Sequence, residues 1–198
     1  MGQIGTFGGT LYIGSADGGI MFNGNDIEPT SGGASRADNS IDLGSASYRF
    51  KDAFIGDGVY LGGTDAAHKL DDYEEGTWTA ELRGSTSRAS TPVTRTATYT
   101  KVGNLVHVHV GFANVNTAGA SGSIQITGLP FANTSANSSA ASLGQYTELA
   151  HTAGSNPVVY INQSASLIQG LQNNASADAA NWNITATTGV YVYVSATY

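Results

Sequence analysis

Thr96-Ala97-Thr98-Tyr99-Thr100-Lys101-Val102-Gly103-Asn104-Leu105-Val106-His107-Val108-His109-Val110-Gly111-Phe112 is the stretch that decides the fold. Polar and apolar residues alternate from Thr94 to Thr100, and again from Leu105 to Phe112. Alternation with a period of two belongs to a strand with one buried face. Between the runs, Lys101-Val102-Gly103-Asn104 supplies the glycine and asparagine of a tight turn. The stretch is therefore an antiparallel hairpin, with three valines on one face and His107 and His109 on the other.

Downstream the same signals repeat. Ser123–Thr127 alternates and is stopped by Gly128-Leu129-Pro130. Runs at Pro157–Ile161, Ser166–Leu171, Asn183–Thr187 and Gly189–Tyr198 follow, at spacings typical of a sandwich or jelly roll. In the last run Val190, Val192 and Val194 face one way, and Tyr191 and Tyr193 face the other. The valines make a thin core. Ordered tyrosines beside a terminus are costly to leave wet, so their face is expected at a partner interface.

Upstream the texture changes. Fifteen of the 26 glycines fall in residues 1–63, where short apolar runs are separated by glycine pairs. Leu11-Tyr12-Ile13-Gly14 is echoed by Val59-Tyr60-Leu61-Gly62, with Ile20-Met21-Phe22 between them. No helical stripe appears, and Ser47–Asp52 suggests at most one serine-capped turn. Ordering each residue costs about 1–2 kcal/mol, and so few large side chains cannot offset that within one copy. The expectation is an all-β chain in two parts. Residues 1–75 form an intertwined, glycine-rich homotrimeric shaft, and residues 76–198 an antiparallel, jelly-roll-like β-sandwich head. Leu11, Tyr12, Ile13, Val59, Tyr60, Leu61, Tyr191 and Tyr193 are its candidate trimer contacts.

Composition narrows the function. The 198 residues carry a net charge of −7, with eight Lys and Arg against fifteen Asp and Glu, so a nucleic-acid footprint is missing. There is no cysteine, hence no disulfide framework, thiolate site or cysteine nucleophile. No apolar run approaches the roughly 18 residues of a membrane span, and membrane insertion is not expected. No cofactor motif is present either. Every Lys and Arg lies at or before Lys101, and beyond it Glu148 and Asp178 are the remaining acids.

Residues 38–79 carry a family resemblance. Asp38-Asn39-Ser40-Ile41-Asp42-Leu43-Gly44-Ser45-Ala46-Ser47-Tyr48-Arg49-Phe50 is similar to a segment of tailed-phage tail fibres and tailspikes. Val59–Thr64 and Lys69-Leu70-Asp71-Asp72-Tyr73-Glu74-Glu75-Gly76-Thr77-Trp78-Thr79 resemble the shaft-to-head junction of phage fibre proteins. Tyr99–Val106 and Ile126–Phe131 resemble pieces of their heads. The resemblance implies a homotrimeric viral fibre, located on the virion, that attaches to a host glycan or outer-membrane receptor. It also implies other virion proteins as partners, through an N-terminal region outside this chain. The alternatives are a capsid or tail decoration protein and a polysaccharide depolymerase.

Three constellations are candidates for chemistry. Residues 170–182 supply amide groups (Asn173, Asn174, Asn181), Asp178 and the aromatic Trp182, a set suited to a shallow sugar site. Trp182 equally suits a plug at the bottom of the head. His107 and His109, repeated three times around an axis, are candidate metal ligands; the bland alternative is a pair of exposed strand histidines. Asp72 and Glu74 share a face at a spacing of about 6.6 Å in an extended chain, within glycosidase range. No second acid-bearing segment accompanies them, so the expectation is a structural hinge pairing with Arg or Lys of a neighbouring chain, and no enzyme.

Overall fold

The computed structural model describes residues 1–32, 35–174 and 177–198. The chain forms two compact units, Met1–Gly56 and Asp57–Tyr198.

The first unit is a four-stranded antiparallel meander of β1 (Gln3–Phe7), β2 (Thr10–Gly14), β3 (Gly19–Asn23) and β4 (Asp26–Thr30). Gly8 and Gly9 join β1 to β2 with φ of 56° and 84°, the doubly left-handed turn that fits the twist of a hairpin. Register places Ile4, Ile13, Ile20 and Pro29 in one cross-strand row, and Thr6, Leu11, Phe22 and Ile27 in another. Both rows lie on one face because their members alternate along each strand. That face is uncovered: Ile4 is 77% exposed and Ile27 is 67% exposed. The opposite face holds Tyr12, Met21 and Glu28, with Met21 only 2% exposed and Arg36 paired to Glu28. Leu11 and Ile13 thus lie on the bare face, whereas Tyr12 points away and lies against Gly5. At Ser47–Asp52 no helical turn forms; Ser45 Oγ instead accepts from the Tyr48 N–H at 3.0 Å in a tight loop.

The second unit begins with β5 (Val59–Tyr60), a 3₁₀ turn at Ala66–His68 and β6 (Lys69–Leu70), which pairs with β5. The strands β7 (Tyr73–Gly84), β8 (Val93–Val102), β9 (Leu105–Val115) and β10 (Ile124–Thr127) follow. After them come β11 (Ser139–Thr147), β12 (Ser155–Ile161), β13 (Leu167–Asn174), β14 (Ala177–Asn181) and β15 (Val190–Thr197). The order β10-β7-β8-β9-β15-β11-β12-β13 is closed by a further pairing of β10 with β13. The result is an eight-stranded antiparallel barrel, with β14 as a flap on β13. Eight strands leave an interior that side chains just fill.

The inward positions are those the alternation marked. Val106, Val108, Val110, Val190, Val192 and Val194 are buried, with Trp78, Leu82, Phe112, Ile126, Ile161 and Ile168 completing the core. Two of the eight barrel strands escaped the sequence reading. β7 contains the acidic run read as a junction, and its inward residues past Glu75 include glycine and alanine, which dilute the apolar signal. β11 places Ala141, Leu143 and Tyr146 against the core, but a bulge between Leu143 and Gln145 breaks its alternation. Conversely, Asn183–Thr187 is not a strand; it holds one isolated bridge, Ser123 to Asn183.

A device recurs where glycine opposes tyrosine across two strands. Gly5 faces Tyr12, Gly76 faces Tyr99, and Gly111 faces Tyr193, and each ring lies over its glycine. Tyr193 is half-buried for this reason, within one chain. Gly170 makes another kind of space: a Cβ there would overlap Ile124 Cγ2 and crowd the Trp182 ring. Gly170→Ala should lower unfolding stability by about 1–3 kcal/mol, the cost of overpacking a filled core. An unchanged midpoint in urea unfolding would show that the site has slack.

Candidate functional site

Strand directions divide the connections of the barrel between its two ends. The connections 85–92, 116–123, 148–154 and 182–189 emerge at one end. The other end receives the chain at Tyr73 and holds the β8–β9 turn, the connections 128–138 and 162–166, which are tied together at Asn133, and Tyr198.

The first of these ends is held by hydroxyl groups. Ser87 Oγ donates to the Gly119 carbonyl at 2.7 Å, and Thr117 Oγ1 donates to the Thr185 carbonyl at 2.6 Å. Ser85 Oγ accepts from the Ser123 N–H at 2.9 Å, and Thr185 Oγ1 accepts from the Ala150 N–H at 3.0 Å. Gln172 Oε1 accepts from the Thr152 N–H at 2.8 Å, tying the 148–154 loop to β13. Such side-chain to backbone bonds let irregular segments keep one conformation without regular pairing. The surface is therefore preorganised, and its groups are neutral apart from a few. Of the nearby cations, Arg88 pairs with Glu81 at 3.3 Å and Arg83 donates to the Gly84 carbonyl at 3.1 Å.

The residues expected to form a sugar site divide here. Asn173 and Asn181 are exposed, on β13 and β14. Asn174 and Asp178 fall on those strands too, but their side chains lie outside the described residues, as do Ala175 and Ser176. What was read as a recognition loop is a hairpin. Trp182 must be removed from the set: it is 0% exposed, packed edge-to-face on Tyr146 at 5.1 Å between ring centroids. It plugs the core, and Gly170 leaves it room. The sequence offered no signal to separate the two roles, because a tryptophan ending a polar run suits both.

His107 and His109 lie on the outer face of β9, both exposed. They stand in cross-strand rows of hydroxyls: Thr100, His107 and Thr197 in one, Thr98, His109, Ser195 and Ser142 in the next. Both His107 nitrogens have partners, Nδ1 with Thr197 Oγ1 at 2.9 Å and Nε2 with Ser195 Oγ at 3.4 Å. Among the described residues no group of three metal-binding side chains gathers around the pair.

The acidic run closes the other end of the barrel. Asp72 accepts from Lys101, Glu74 from the Tyr99 hydroxyl and Glu75 from the Tyr73 hydroxyl, while Asp71 pairs with Lys69 at 3.4 Å. Lys101 also lies over the Phe131 ring, 5.5 Å from its centroid, and Tyr99 meets that ring edge-on at 5.5 Å. The partners come from this same chain, not a neighbour. Hydrogen bonding to Glu74 raises the Tyr99 phenol above its ordinary range, since an anionic neighbour opposes its ionisation. Tyr198 donates to the Phe131 carbonyl at 3.1 Å, and burial pushes its phenol up to about 12.

No family model matches the chain, and no curated protein matches it. Among solved structures, the Dettilon tailspike protein is similar in 63% of this chain, at 16% identity and a TM-score of 0.49. The match spans 23% of that tailspike's own length.

Two predictions follow from the barrel's faces. Tyrosinate at position 198 is easier to form in the unfolded chain, so its contribution to stability is intact below about pH 10 and disappears as pH rises toward 12. Tyr198→Phe should remove that alkaline decline and cost about 1 kcal/mol at neutral pH; ultraviolet titration with unfolding at each pH checks both. For the histidines, chelator treatment should leave the melting temperature unchanged. Stoichiometric metal in the purified protein would show that copies of the chain share His107 and His109 as ligands.

Proposed function

We propose that this chain is the shaft and head of a homotrimeric attachment fibre on a tailed-phage virion, with a host-surface glycan as receptor. The bare face of the first unit is the observation that carries the reading. Seven apolar residues, Ile4, Leu11, Ile13, Ile20, Phe22, Ile27 and Pro29, lie exposed on one four-stranded sheet. A contiguous apolar surface of this kind marks an interface. Two further copies of the chain would cover it, because the same face recurs on each and needs no other protein. In the second unit, Val59, Tyr60 and Leu61 are exposed as well. The resemblance of residues 38–79 to fibre junctions supports the same assignment.

The head supports attachment without chemistry. Asp72 and Glu74, the acids at glycosidase spacing, are occupied by Lys101 and Tyr99. The end that carries the 116–123, 148–154 and 182–189 connections offers fixed hydroxyl and amide groups, suited to a polyhydroxylated ligand bound weakly at each copy. Three copies on one rigid particle raise effective concentration, and avidity can exceed single-site affinity by about 100-fold or more.

The purified 198-residue chain should bind intact bacterial cells saturably and compete with phage adsorption. Because the surface is nearly uncharged, that binding should change less than about threefold between roughly 50 and 500 mM salt. Failure to bind any strain, combined with assembly onto capsids or tails, would replace this reading with the decoration protein. Clearing of host polysaccharide, lost in Asp72→Ala or Glu74→Ala, would replace it with the depolymerase.

A further inference from the structure

At the end that carries the 148–154 and 182–189 connections an open groove of about 450 Å³ runs between two segments, one containing Glu148, Leu149, Ala150 and His151, the other Thr185 and Thr187. Glu148 has φ of 58°, a left-handed conformation that a side chain longer than asparagine rarely adopts. Its neighbour across the strand ends is Gly189, also left-handed at 77°, and the Glu148 stem passes directly beside it. Thr147 Oγ1 donates to the Gly189 carbonyl at 3.4 Å, and Thr185 Oγ1 accepts from the Ala150 N–H, so both walls are tied together. His151, which lines the groove, meets the Tyr146 ring edge-on at 5.7 Å between centroids, and Tyr146 in turn packs edge-on against the buried Trp182 at 5.1 Å. The wall at His151 is thereby tied to the core.

The carboxylate is unusual for its region. No Lys or Arg follows Lys101 in the sequence, and among the described residues no cation pairs with Glu148. A strained backbone that persists without a structural partner for its side chain points to a ligand. Ionised carboxylate only accepts hydrogen bonds, and its two oxygens suit two adjacent donors. Nearby, the Thr185 hydroxyl still has its own hydrogen to donate, because its oxygen is the acceptor in the bond from Ala150. A carboxylate that accepts beside a hydroxyl that donates suits a ligand carrying neighbouring hydroxyl groups.

We propose that this groove is a subsite for an uncharged sugar, in which Glu148 accepts hydrogen bonds from two neighbouring ring hydroxyls and His151 and Thr185 flank the ring. The proposal rests on the attachment reading and assigns its receptor contacts. It also sets specificity. Uronic and sialic acids would bring a second negative charge against Glu148 with no cation to balance it, so neutral hexoses and N-acetylhexosamines are the expected class.

The test uses the 198-residue chain on a printed panel of neutral oligosaccharides and their acidic counterparts, with melting temperature measured in parallel. Wild type should bind neutral members, with little dependence on salt. Glu148→Gln should lose at least tenfold in binding with an unchanged melting temperature. Glu148→Gly should lose binding while melting higher, because glycine relieves the left-handed strain; a purely structural glutamate would not separate the two readouts in this way. Undiminished binding by Glu148→Gln overturns the proposal, as does preference for acidic sugars, salt-sensitive binding of an amino sugar, or no sugar binding by wild type. Adsorption of wild type to intact cells distinguishes the two levels: cells bound but panel sugars not bound sinks the groove alone, and no cell binding sinks the attachment reading with it.

Discussion

The pairing of β10 with two strands at once is the contact on which the C-terminal unit depends. Four residues, Ile124–Thr127, meet β7 along one edge and β13 along the other. Without that bridge the sheet has two open edges and a core exposed along both, a state prone to pairing with other chains. With it, a chain poor in large aliphatics encloses those it has. The Ile124 and Ile126 side chains point inward from the bridge itself and are buried with Trp182 and Ile168. Closure also fixes which connections share an end, because each strand's direction is set by its neighbours around the ring.

The N-terminal unit answers the same shortage differently. Its four strands have one covered face around Met21 and one bare face of isoleucine, leucine and phenylalanine. A sheet four strands wide cannot close on itself as the barrel does. In the proposed reading, association of copies removes this face from water, and burial of seven apolar side chains is a large driving force at about 25 cal/mol per Å². The proposed trimer thus follows from a deficit within one chain. The barrel, by contrast, encloses its own core.

Legibility in the sequence tracked the size of the inward side chains. The β8–β9 hairpin and β15 were readable because valine alternates with polar residues over many positions, and Gly103, at φ of 57°, marks the turn. β7 and β11 were not, since glycine and alanine take inward places and a Gly–Tyr pair carries packing that the glycine alone does not announce. Among candidate site residues, the sequence located the histidine pair's face and the exposed Asn173 and Asn181, and it left Trp182 open between a sugar platform and the core plug that the fold makes of it. It did not locate Glu148, although it marked that residue as one of two acids beyond Lys101. Positive φ and the meeting of two distant segments have no local signature. Only the fold brings residues 148–151 beside 185–187.

The central claim is that the bare sheet face is covered by other copies of this chain, and the mass of the 198-residue chain in solution tests it most directly. Light scattering should give three times the 20.3 kDa of one chain, and introducing charge on the face through Ile13→Glu with Ile20→Glu should collapse the particle toward single chains. A wild-type mass of one chain, with the N-terminal amides nonetheless protected from hydrogen exchange, would contradict the account.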